Sequence, residues 1–174
     1  LGVKHLERIW GNFETNQVYH CSTGELFGHI LSRVGRIFQS DSAERPAASM
    51  FNNQPLRELL NEVIDFERIN RHIHNGHLRA VAITASSYNT GDSVSFYEGI
   101  AQYQDWTRAK RRGFRTRLST EHLMASAAIP LIFPAIRVQR EYYGDGSVHQ
   151  ISPLSPAIHL GASKVLVISL GQHN

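Results

Sequence analysis

Residues 136–168 carry an ordered pattern that few architectures accommodate. Residues 136–142 read as a strand, and Gly144-Asp145-Gly146 closes it. A short helix over 153–161 opens on prolines and ends at Gly161. Val165-Leu166-Val167-Ile168 then follows as a continuous apolar run, the pattern of a strand buried on both faces. Strand, loop, helix and strand make a βαβ unit, so the expectation is an α/β architecture with parallel strands.

Upstream the texture is helical. Leu6, Ile9, Trp10 and Phe13 recur at helical spacing, which predicts an amphipathic helix over 3–13. Ser22 or Thr23 caps a second helix over 23–38, and residues 39–53 read as a loop. Pro55 suits the start of a third helix carrying Leu56, Leu59, Leu60 and Val63. Asp65 caps a fourth that stops at Gly76. From Leu78 the pattern changes. Residues 78–85 predict a strand, 89–92 a turn and 94–96 a second strand. Thr120 is the expected N-cap of a small-residue helix over 120–128, before Pro130 and Pro134 break regular structure.

A chain of 174 residues holds one domain, and 19% charged residues against 41% hydrophobic ones exclude a disordered class. A net charge of +3 makes no case for nucleic acid as a partner. Cys21 is the only cysteine, so no internal disulfide forms, in keeping with a reducing cytoplasm. No apolar run is long enough to span a membrane.

Asp145 is the residue best placed for chemistry. Glycines on both sides let the backbone turn sharply and let another group approach. Ligand sites of open α/β sheets lie beyond strand ends, where a carboxylate can act as a general base. An ordinary Asp-Gly turn is the simpler reading of the dipeptide alone.

The blocks around it agree in order and spacing. Met124-Ala-Ser-Ala-Ala-Ile-Pro-Leu-Ile-Phe-Pro134 precedes Tyr143-Gly-Asp-Gly-Ser147, then Pro153-Leu-Ser-Pro-Ala-Ile-His-Leu-Gly-Ala162 and the run at 165–168. Together with residues 78–91 and the opening Leu6, Ile9 and Trp10, they resemble the C-terminal part of a patatin-like phospholipase domain. The resemblance implies a three-layer α/β/α sheet, truncated at the N-terminus so that the first strands and the nucleophile elbow are absent. It implies one partial domain over 1–174, mainly helical over 1–77, with the strands and the Asp-Gly motif in 78–174.

The resemblance assigns Asp145 as the base of a Ser-Asp dyad for lipid ester hydrolysis through an acyl-enzyme. Gly144, Gly146 and Ser147 shape its turn, Ser147 standing where the family has Gly or Ala. A free carboxylate, with a pKa of about 3.9, is a weak base for this task, so such a site needs partial desolvation. No Gly-x-Ser-x-Gly occurs in the sequence. The expectation is therefore a fragment, inactive alone, whose partner is a missing N-terminal segment of the same protein. Its substrate would be a phospholipid or related ester, with no cofactor or metal, in the cytoplasm or at a membrane periphery. A lipid- or partner-binding module of the same fold is the alternative. A truncated sheet also leaves an unpaired edge, which predicts self-association.

Other signals compete. Arg108, Lys110, Arg111, Arg112, Arg115 and Arg117 form a basic run, read as a solvated face, a lipid-headgroup contact through Arg108, Lys110, Arg111 and Arg112, or a nucleic-acid patch. Gly91-Asp92-Ser93-Val94 resembles a Gly-Asp-Ser-Leu esterase block but reads more simply as a turn. His72, His74 and His77 read as a solvated helix end rather than a metal set. Ser126 reads as a packing residue, and His159 as a partly buried or surface histidine.

Overall fold

The computed structural model describes residues 2–12, 14, 17–18, 51–149 and 154–168. The helix read over 23–38 and most of the loop over 39–53 lie outside the described residues. α1 spans Gly2–Gly11. In α2 (Gln54–Val63) Pro55 lies in the first turn, where a missing N–H leaves no bond unmade. α3 (Glu67–His74) begins beside Asp65, whose Oδ1 accepts the Glu67 N–H at 3.1 Å, although the cap position itself is Phe66. Gly76, at φ +73°, ends it.

Six strands follow: β1 (Ala80–Ser87), β2 (Ser93–Gly99), β3 (Trp106–Arg108), β4 (Arg111–Arg115), β5 (Ile136–Val138) and β6 (Glu141–Asp145). They form one sheet in the order β3-β4-β2-β1-β6-β5. Only β2 and β4 run parallel, and the other neighbours are antiparallel. The α/β class holds as a mixed sheet with helices, but the expected parallel unit does not. The strand read over 136–142 is a hairpin, turned at Gln139, which adopts φ +55° without the usual glycine. Residues 165–168 are neither strand nor buried: Leu166 is 88% and Ile168 86% exposed. Their apolarity is real, but no described strand lies beside them to pair with.

β2 is buried on both faces, which makes it the centre of the sheet. Val94 and Phe96 pack with Ala85, Leu118, Met124 and Ile136, over which Leu56, Leu60, Phe66 and Ile69 close. On the opposite face Tyr97 pairs in register with Ala82. There the chain adds α5 (Leu154–His159).

α4 (Thr120–Ser126) crosses the core face. Its N-cap is Ser119, one residue before the expected Thr120. The Ser119 side chain accepts the His122 N–H, and His122 Nδ1 accepts the Ser119 N–H at 3.0 Å. This is a capping box with histidine in the place usually held by Glu or Gln. Thr120 instead donates its hydroxyl to Asn61, and Arg57 pairs with Glu121, which together tie α2 to α4.

His122 is buried, with the edge of its ring against Phe96 at 4.7 Å. Burial lowers its pKa from the ordinary 6.5. The unfolded chain therefore takes up a proton near pH 6.5 that the folded chain refuses. Above that pH the group is neutral in both states and contributes no slope. As the pH falls below it, folded stability falls. His122→Gln keeps a capping side chain without the titration. Melting temperatures measured from pH 7 downward (~7 to 5, spanning the histidine range) should decline less steeply in the variant; equal slopes would remove His122 from the account.

Candidate functional site

β6 delivers Asp145 to the end of a strand. Its N–H donates to the Ala128 carbonyl at 2.9 Å, just past α4. Its Oδ1 accepts the Ser147 N–H at 2.8 Å, which caps a single 3-10 turn over Gly146–Val148. Both flanking glycines are dictated by close approach. A Cβ on Gly146 would lie 2.4 Å from the Thr84 carbonyl oxygen, and one on Gly144 2.2 Å from the Tyr88 hydroxyl. The Tyr88 phenol is raised above its ordinary pKa by burial and then by the charge of Asp145, so the two groups share one electrostatic neighbourhood.

Asp145 opens onto a cleft of about 840 Å³. Arg79, Ala80, Ala82, Ile83 and Thr84 on the β1 side form its floor, Leu123 and Ser126 one wall, and Pro156, Ala157 and Leu160 the other. Asp145 is the one carboxylate and Arg79 the one cation among its lining residues. The remaining lining is apolar or small, as suits an acyl chain or another apolar segment.

The floor is also a strand edge. The Arg79 carbonyl accepts the Ile100 N–H at 2.9 Å, on the β2 side. Strand alternation then turns the N–H and C=O of Ala80 and Ala82 to the other side, into the cleft. β6 pairs with β1 on that side only from Ala85 to Ser87. Among the described residues, no strand pairs with residues 80–84 there.

The far wall is fastened by aromatic rings. Trp106 lies flat over Gly113, where a Cβ would meet its ring at 2.3 Å. It stacks on Tyr97 at 5.2 Å and 24°, and on His159 of α5 at 4.7 Å and 13°. His159 is thus a packing residue of the cleft wall.

The basic run divides in two. Arg112 is turned inward: it pairs with Asp92 at 3.0 Å and Glu141 at 3.4 Å, and donates to Thr90 Oγ1 at 2.8 Å. Arg115 donates to the carbonyls of Gly99, Ile100 and Tyr103, and Arg117 pairs with Glu67 at 3.0 Å. Arg108, Lys110 and Arg111 stand exposed at the β3–β4 tip, with Lys110 4.0 Å from Asp92. Arg111 is level with Ser93, which faces Ser86, so the tip lies level with the C-terminal end of β1, while the cleft runs along its N-terminal half.

The rival blocks resolve into scaffold. Asp92 serves Arg112, and Ser93 is buried at the start of β2. The His72 and His77 rings meet edge to face at 5.8 Å. Sequence reasoning passed over Ser126 as a lining residue and Tyr88 as the neighbour of Asp145. The run of small residues around Ser126 was the available signal, since it marks a place where another backbone comes close.

A family model described as Patatin-like phospholipase matches residues 4–158 of the 174-residue chain. No curated protein and no solved structure matches it.

The two glycines should not respond alike to alanine. At Gly146 the obstacle is backbone, so Gly146→Ala should lose roughly 1–3 kcal/mol of stability, the usual range for overpacking. At Gly144 it is the end of a side chain that can swing away, so Gly144→Ala should cost less and move Tyr88. Denaturant melts of both variants check the order; a Gly146→Ala protein as stable as the parent would refute the close approach.

Proposed function

The chain belongs to the patatin-like phospholipase family, a family of lipid hydrolases, and from that premise we propose that it carries the base half of a Ser-Asp dyad. The observation behind this reading is Asp145 at a glycine-flanked strand end, opening onto a largely apolar cleft. A serine hydroxyl attacks the ester carbonyl, and Asp145 takes its proton. The alcohol then leaves with a proton, and water releases the acyl group from the serine. The 174 residues contain no Gly-x-Ser-x-Gly, so the serine comes from another segment of the same protein. A strand pairing with residues 80–84 of β1 would bring that serine alongside Asp145.

The missing pentapeptide also favours a second reading, a lipid-binding module of the same fold without catalysis. Hydrolysis of a short-chain p-nitrophenyl ester separates the two. The assay compares the 174-residue chain, a longer protein supplying the serine, and that protein with Asp145→Asn. Only the unaltered longer protein should turn over, with Asp145→Asn slower by about 10²–10⁴-fold, the usual worth of a general base. Full activity in the variant would remove Asp145 from the dyad.

We further propose that the β3–β4 tip meets anionic lipid headgroups through Arg108, Lys110 and Arg111, each contributing about 1 kcal/mol near such a surface. Arg112 supports the tip from inside. Arg108→Glu with Arg111→Glu should weaken sedimentation with phosphatidylserine vesicles by roughly tenfold or more, scaling with the charge reversed. Unchanged binding, or equal binding to neutral vesicles, would end this reading.

A further inference from the structure

We propose that the loop leaving α4, together with Val148, inserts into the apolar layer of a lipid surface and seats the Asp145 end of the cleft against it. Residues 127–136 carry no polar or charged side chain. Part of this run serves the interior: Ala128 and Ile136 are buried, and Phe133 packs against the core. The rest does not. Leu131 is 68% exposed and Ile129 42%, and Val148, three residues past Asp145, is 49% exposed.

Leu131 is held outward by an unusual backbone. It adopts φ +71°, a left-handed conformation that suits glycine or asparagine and disfavours leucine. Strain and exposure are both unfavourable for the chain in water, and both collect where a ligand or partner is met. The place is the Asp145 end of the cleft. Ile129 follows Ala128, whose carbonyl accepts the Asp145 N–H at 2.9 Å, and Ser126 at the end of α4 lines the cleft. Apolar side chains thus flank the carboxylate from two chain segments, with no charged residue in 127–136 or 146–148.

The occupant is a lipid layer, not a pairing strand, because the loop keeps its hydrogen bonds to itself. The Ile129 N–H donates to the Ala127 carbonyl at 3.0 Å, and the Ile132 and Phe133 N–H groups donate to the Ile129 carbonyl at 3.2 and 2.9 Å. The Ile132 carbonyl accepts the Phe51 N–H at 3.0 Å, and Pro130 and Pro134 have no N–H to offer. A pairing strand needs free backbone donors, whereas hydrocarbon accepts backbone whose polar groups are already satisfied. The family acts on lipids, so the surface met by this loop is also the one that holds substrate. The inference rests on the reading of a lipid ester as substrate, asks nothing of Asp145 as a base, and unlike the β3–β4 tip needs no charge.

Partitioning of the 174-residue chain onto vesicles tests it, with pure phosphatidylcholine and with added phosphatidylserine, at low and high salt. The altered forms are Leu131→Asn alone and Leu131→Asn with Val148→Asn. Asparagine suits the left-handed backbone, so Leu131→Asn should melt no lower than the parent. On both vesicles and at both salt concentrations it should lower the partition coefficient about fivefold or more, and the double form further, because apolar burial has no charge for salt to screen. A polarity-sensitive fluorophore on Leu131→Cys, in a Cys21→Ser background, should shift to the blue on phosphatidylcholine vesicles. The inference is overturned by a parent that ignores phosphatidylcholine vesicles, by a loss confined to phosphatidylserine or to low salt, or by a label that stays in water. Unchanged partitioning of Leu131→Asn also overturns it and assigns the loop to a protein partner. No readout involves catalysis, so failure here and failure of the dyad are told apart.

Discussion

β1 is hydrogen-bonded to β2 from Ala80 to Ser86 but to β6 only from Ala85 to Ser87. The fully paired edge makes the sheet: it sets the register that buries Val94 and Phe96 against α4 and leaves Tyr97 for the other face. The half-paired edge makes the site. Where β6 stops, the chain turns at Gly146 against the Thr84 carbonyl, and the space beyond becomes the cleft. Asp145 stands at the boundary between these halves because the last pair of the ladder is its own, with Ala85.

Charge is arranged to stiffen the other end of the same strand. Arg112 spans Asp92 and Glu141, and Glu141 also accepts from Ser87 and Tyr143. The Tyr143 phenol is pushed up to about 12 by burial and then by Glu141. These pairs are largely out of water, so breaking one partner leaves a charge uncompensated, a heavier loss than removing an exposed pair. The outer cations escape this obligation.

Much of the scaffold was legible because its signals are local. Pro55 in the first turn of α2 and Gly91 at φ +67° act through their own backbone preferences, and the glycines around Asp145 announced a close approach without saying to what. The parts that misled depend on distant partners. The apolar run at 165–168 has a strand's composition but no described neighbour to pair with. The turn at Gln139 carries no turn residue, because the β5–β6 pairing on either side holds it. His122 replaces the acidic or amide residue expected in a capping box, and only its position over Phe96 reveals why a burial-tolerant ring suits that place. Ser126 could not be placed in the cleft without knowing that α4 ends where Asp145 begins.

Trp106 rests on Gly113 at one edge of the sheet and carries His159 on its outer face. The strand that holds Trp106 also leads directly to the tip bearing Arg108 and Lys110. Tip and cleft wall are therefore borne by one edge ribbon, and the indole is its stacked contact with the helix that borders the cleft.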